Sequence, residues 1–253
     1  MIPLKDDTPR FTTPYVTWFL LLLNVVIFLL EEWVQHGPQG RLASEQLAMV
    51  FGLVPVKIPI ALAGGQVPLR LIDYLGTRTV SLQAAFLPIL TSMFLHSGWW
   101  HIISNMWVLW IFGDNVEDYL GHFVYLLFYL GAGIAGALLH VMFNWGSVIP
   151  TVGASGAIAG VMGAYFVLYP RARVLTLVPF FFVFFLWLPA WIVLGYWFLA
   201  QFLGGAATAI GTAHSTTTGG VAFWAHVGGF LTGLLLIKLL PHKQRLYRYS
   251  GWN

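Results

Sequence analysis

Apolar residues run along this chain in long blocks, separated by short clusters of charged, glycine and proline residues. Six blocks approach the roughly 20 residues that a helix needs to cross a bilayer, without a charge in their middle. They begin near Tyr15, Trp99, Phe123, Gly153, Leu177 and Val221. The pattern predicts an all-α polytopic membrane protein with one domain over 1–253. Its six transmembrane helices are expected near 15–31, 99–113, 123–143, 153–169, 177–202 and 221–240, with a long first loop over 32–98. The first block reads as a span rather than a cleaved leader, since no A-x-A site follows it and Glu31, Glu32 and Trp33 come directly after. A seventh stretch, Gln46 to Gly65, carries Pro55, Lys57 and Pro59 and is expected to lie in the interface.

Composition agrees with a bilayer protein: 58% of residues are hydrophobic, 17% aromatic and only 8% charged. The absence of cysteine removes disulfides, thiolate nucleophiles and cysteine zinc sites together. A net charge of +3 is spread along the chain without a basic run, so nucleic acid is not an expected partner and the charge reads as topology. Lys5 and Arg10 flank the first block, Arg171 and Arg173 follow the fourth, and Lys238, Lys243, Arg245 and Arg248 follow the sixth. By the positive-inside rule these three places, and both termini, are expected on the cytoplasmic side. The opposite side holds Arg41, Lys57, Arg70 and Arg78 in the long loop, while its other two loops, around Trp145 and Thr217, have no Lys or Arg. Only the acidic connection GDNVEDYLGH runs against the rule, in which acidic residues weigh little.

Polar groups inside a bilayer are functional candidates because an unpaired one costs several kcal/mol, on the order of a lost hydrogen bond or more. On the expected topology the second, fourth and sixth spans all begin on the non-cytoplasmic side. Each carries a polar residue near its start: His101 and Asn105, Ser155, and His226. At about 1.5 Å per residue these fall in one layer, one or two turns below that surface. His101 and Asn105, four apart, share a face. Gly156, Ala159, Gly160 and Gly163 on one helix, and Ala222, His226, Gly229 and Gly233 on another, form small-residue faces that let backbones approach closely. A neutral His226 brought against Ser155 can take its proton and make the hydroxyl a nucleophile. Every Asp and Glu lies in the termini, the first loop or the acidic connection, so the arrangement is a dyad. The Ser155 amide, unpaired in the first helical turn, with His101 and Asn105, supplies donors for an oxyanion.

Taken as a set, H-x-x-x-N at His101 and Asn105, E-x-x-x-G at Glu117 and Gly121, G-x-S-G at Gly153 to Gly156 and A-H-x-x-G at Ala225 to Gly229 resemble the rhomboid intramembrane serine proteases. The likeness covers most of Trp99 to Leu240 in the right order. It implies a rhomboid-like bundle in which Ser155 is the nucleophile, His226 the general base and acid, and His101, Asn105 and the Ser155 amide the oxyanion hole. Gly153, Gly156, Gly229, Glu117 and Gly121 are supporting positions, and His96 resembles the family's upstream histidine that orders the loop. The implied reaction is peptide hydrolysis in single-span membrane proteins near the outer face, with no metal or organic cofactor. The segment LGGAATAIGTAHSTTTGG is a candidate mobile cap, and the fifth helix, with Pro189, is either the gate for substrate or a lipid-facing aromatic helix.

Two positions depart from the family pattern. An aromatic residue often stands four positions after the serine to stack on the histidine, whereas this chain has Ala159. Orientation of His226 then falls to Trp224 or to another helix. The Trp-Arg pair of the family's first loop, ahead of the threonine matched by Thr91, is Leu87 and Pro88 here. A catalytically inactive relative that binds transmembrane helices is the alternative to a protease. A transporter or channel would need inverted repeats or midplane charges, which the sequence does not show. The compact plan points to the plasma membrane of a prokaryote, with an organellar membrane as the alternative, and to a monomer.

Overall fold

The computed structural model describes residues 1–38, 40–180, 182–211 and 222–241. His214, Thr217, Val221, His242, Lys243, Arg245, Arg248 and half of the expected cap lie outside the described residues. After a strand β1 (Ile2–Asp6), helix α1 (Tyr15–Gln35) leads into the first loop, whose described residues form five short α-helices and a 3-10 turn at Ser92–Phe94. The five helices are α2 (Gly40–Phe51), α3 (Lys57–Leu62), α4 (Leu69–Leu75), α5 (Leu82–Phe86) and α6 (Pro88–Thr91). Helices α7 (Trp99–Leu120), α8 (His122–Phe143) and α9 (Ser155–Leu168) follow, then strands β2 (Arg173–Phe180) and β3 (Phe182–Pro189), and finally α10 (Ala190–Gly211) and α11 (Phe223–Leu236). Among the described residues three helices are long and apolar enough by themselves to cross a bilayer: α1, α8 and Ala190–Ala209 within α10.

The protein is not all-α. The segment expected to open the fifth span at residue 177 is instead an antiparallel hairpin, with Arg173 paired to Pro189 and Phe180 to Phe182. β1 adds to its other side, Ile2 opposite Leu177, giving a sheet ordered β1-β2-β3. The physical reason lies in the residues: two prolines ten apart, Pro179 and Pro189, would each cost a continuous helix a hydrogen bond and a clash, and Val and Phe fit a pleated surface. β1 pairs only along Val174–Leu177, so Pro179 lacks an N–H where no strand asks for one on that side. The helix begins immediately after Pro189.

Glu117 ties the sheet end of the bundle together. Fully buried, it accepts hydrogen bonds from the Val16 and Thr17 amides at 2.9 and 2.8 Å and from the Thr17 hydroxyl at 2.6 Å, so a carboxylate from α7 caps the start of α1. Gly121, at φ +76°, makes the turn into α8 that an L side chain would strain. Asp118 receives the amides of Phe11 and Thr12 at 2.6 and 2.8 Å, and Tyr165 donates to Asp6 at 2.5 Å. At the other end the loop has a core of its own, Leu53, Val54, Val56, Ile58 and Val80, packed on Ala137 and Val141 of α8. Thr91 donates to the Phe51 carbonyl at 2.7 Å, so the loop is anchored internally although Leu87 and Pro88 replace the family's Trp-Arg pair. The stretch Gln46 to Gly65 forms the end of α2 and all of α3.

Candidate active site

α9 and α11 pack backbone to backbone through the glycines read from the sequence. A methyl group at Gly229 would collide with the Gly156 carbonyl, one at Gly233 with the Gly160 carbonyl, and one at Gly163 with the Phe230 carbonyl. That closeness sets Ser155, the first residue of α9, against His226, the fourth of α11: His226 Nε2 lies 2.7 Å from Ser155 Oγ. His226 is 8% exposed, so the pair sits inside the bundle rather than on its rim.

Gly153 lets the next group in. Its φ is +134°, its amide donates to the Ser92 carbonyl at 2.8 Å, and a Cβ there would stand 2.8 Å from His101 Nε2 and 3.6 Å from Ser155 Oγ. The imidazole of α7 therefore flanks the serine across a residue without a side chain. His101 Nδ1 faces Ser97, whose amide donates to it at 3.4 Å and whose hydroxyl lies 3.0 Å away. An N–H can only donate, so Nδ1 is the acceptor and the ring proton belongs on Nε2, toward the serine. One turn along α7, Asn105 is buried and its Nδ2 has no hydrogen-bond partner, an orphan donor of the kind folded proteins rarely leave. The amides of the first turn of α9, which precede any intrahelical acceptor, are further donors beside the hydroxyl.

His96 takes no part in that cluster. Its amide donates to Glu31 at 3.1 Å, its ring meets His101 edge-on at 5.2 Å, and burial followed by the neighbouring His101 holds its imidazole down to about 4. It supports the histidine beside the serine from behind. His140 lines a cavity of about 30 Å³ with Ser155, Ser92, Thr151 and Gly153, and its Nε2 lies 3.0 Å from the Thr151 hydroxyl. That volume has room for about one water.

Orientation of His226 comes from α10, not from Trp224. Trp224 stacks on Phe143 at 3.7 Å. Ala159 is fully buried in the glycine interface, with no room for a ring. On α10 the Trp197 ring lies 5.6 Å from the imidazole, tilted by 37°, and Gln201 Oε1 is 2.7 Å from His226 Nδ1. Sequence reading missed Gln201. A span over 177–202 places it at a membrane boundary, where a glutamine is unremarkable; starting the helix at Ala190 brings it level with the histidine. The signal that could have found it was the one used for the others, a polar residue inside an apolar run.

The rhomboid-domain family matches residues 83–243, well over half of the chain. "Rhomboid protein 1, mitochondrial" of Saccharomyces cerevisiae is 33% identical over 170 residues, which is 64% of this chain and 45% of that protein. "Presenilin-associated rhomboid-like protein A, mitochondrial" of Danio rerio is 30% identical over 176 residues, 66% and 45% respectively. "Rhomboid protease GluP" of Bacillus subtilis is 38% identical over 103 residues, 40% and 20%. The chain thus spans less than half the length of each of these relatives. Their names also overturn the expected prokaryotic plasma membrane, since those from yeast and zebrafish, and another from Arabidopsis thaliana, are named mitochondrial. Hydropathy and flanking charge mark a segment for a bilayer without saying which bilayer, which is why that expectation had no physical footing.

Proposed function

Because this chain belongs to the rhomboid family, we propose that it is an intramembrane serine endopeptidase that cleaves single-span membrane proteins. The observation carrying this reading is the 2.7 Å contact of His226 Nε2 with Ser155 Oγ. His226 takes the hydroxyl proton as Oγ attacks the scissile carbonyl. Negative charge gathers on the former carbonyl oxygen, where the Ser155 N–H, His101 Nε2–H and Asn105 Nδ2–H can each donate to it. The imidazolium then gives its proton to the leaving amine. Water attacks the acyl-serine with the same histidine as base, and the serine is restored.

Six helices, α1 and α7 to α11, cross the membrane in this reading. α9 and α11 have 14 residues each, about 21 Å, against a hydrocarbon core of about 30 Å. They begin below the surface on the loop side, which leaves a way for water to the serine. One copy supplies every reacting group, so the working unit is a monomer in the bilayer, and the relatives' names point to a mitochondrial membrane. The test is cleavage of a model single-span substrate by purified protein in liposomes. Wild type cuts, and Ser155→Ala and His226→Ala, folded as judged by thermal unfolding, do not. Cleavage persisting in Ser155→Ala sinks the assignment, and failure of wild type on several substrates favours a helix-binding protein without activity.

A further inference from the structure

We propose that Gln201 is the positioning residue of the Ser155–His226 pair, fixing the imidazole in the one tautomer that can accept a proton from the serine. This rests on the proteolytic reading above and extends it from a dyad to three groups on three helices.

A neutral imidazole carries its hydrogen on one nitrogen only. Gln201 presents its carbonyl oxygen to Nδ1 at 2.7 Å, and an amide oxygen only accepts, so the hydrogen sits on Nδ1 and the Nε2 lone pair faces Ser155 Oγ at 2.7 Å. With the amide turned over, its NH₂ would donate to Nδ1, drive the hydrogen onto Nε2 and leave the serine facing a donor. The orientation of one glutamine thus decides whether His226 is a base. When the proton arrives from the serine, Nδ1–H remains donated to the same oxygen, so the imidazolium keeps its partner through the reaction.

The choice of residue suits its surroundings. A carboxylate in that place would bring a full charge into the apolar bundle, whereas an amide supplies the acceptor at far lower desolvation cost. Trp197, four residues before Gln201 on α10, lies against the same imidazole at 5.6 Å, so one helical face holds both the plane and the rotation of the ring. The position that holds the ring in many relatives is filled here by Ala159, closed off by Gly229.

Three measurements on the full chain in detergent or liposomes test this. In Gln201→Leu, similar in size but without an acceptor, kcat for a single-span substrate falls about 10- to 100-fold, within what a well-held general base contributes. KM changes by less than about twofold, as expected when substrate binding is untouched. Labelling of Ser155 by a fluorophosphonate, which needs the nucleophile but no unwound helix, slows in parallel. Gln201→Glu keeps an oxygen at Nδ1 and recovers most of the lost rate. Imidazole ¹⁵N shifts, assigned to His226 by their loss in His226→Gln, report the Nδ1–H tautomer in wild type and a mixture in Gln201→Leu. Wild-type kcat in Gln201→Leu overturns the proposal, as does equal loss in both variants with the tautomer unchanged, which marks a packing role. If wild type neither cleaves nor labels, the proteolytic reading fails separately, and the tautomer still decides whether Gln201 sets the histidine.

Discussion

At the scale of single residues, the protein keeps its histidines in different environments, and His96 has the one most open to a test by pH. Its imidazole is 5% exposed and titrates near 4, against 6.5 for an unhindered histidine. Between those values the unfolded chain binds the proton and the folded one refuses it, so stability falls as pH falls through that window. Over the whole interval the loss amounts to about 3 kcal/mol. Chemical unfolding in micelles at pH 7 and pH 4.5 should show most of that loss in wild type and a smaller one in His96→Gln, with the difference between the two curves isolating this residue from other titrating groups. The meeting of Ser155 and His226 was legible in the sequence for a simple reason: both are polar residues at matching depths on alternate apolar segments, as are the candidates His101 and Asn105. Gln201 obeyed the same logic and escaped only because the helix that carries it was placed ten or more residues too early.

Elements explain why Ser155 and His226 meet. The small faces of α9 and α11 were readable as spacing alone, and their contact through the carbonyls of Gly156, Gly160 and Phe230 follows from that spacing. Gly233→Leu sits two turns from His226 and touches neither reacting group, yet it must push α11 away from the Gly160 carbonyl. A cost of about 1–3 kcal/mol is expected for such overpacking, read as a lower unfolding midpoint, together with slower fluorophosphonate labelling of Ser155 as the 2.7 Å contact opens. Unchanged labelling would show that the serine and histidine are held by something other than this interface. The hairpin was not readable by hydropathy, because a run of Phe, Leu and Val registers alike as helix or strand. Its prolines carried the information, and partner strand β1 lies too far away in sequence for local pattern to reveal.

For the whole molecule, the two ends of the bundle are built on different principles: ionic and amide groups clamp the sheet end, while an apolar core under short helices closes the loop end. In the proposed six-helix topology these ends lie on opposite sides of the membrane. The chain has no cysteine, so single cysteines report without background. Ser81→Cys and Arg171→Cys, both at exposed positions, should react with a membrane-impermeant maleimide from opposite faces of sealed vesicles. Reaction of both from one face would break the topology.

The pairing of Ile2 with Leu177 has a consequence for how this protein is made. The first strand leaves the ribosome long before its partner exists, and at 5–20 residues per second the wait is on the order of ten seconds or more. During that time α1 can enter the bilayer but its start cannot be fully secured, since Glu117 and then the hairpin arrive later. The sheet is therefore a late seal, closed after α1 and α7 to α9 have been synthesised, and the nascent chain must be kept from offering its bare strand edges to other chains until then.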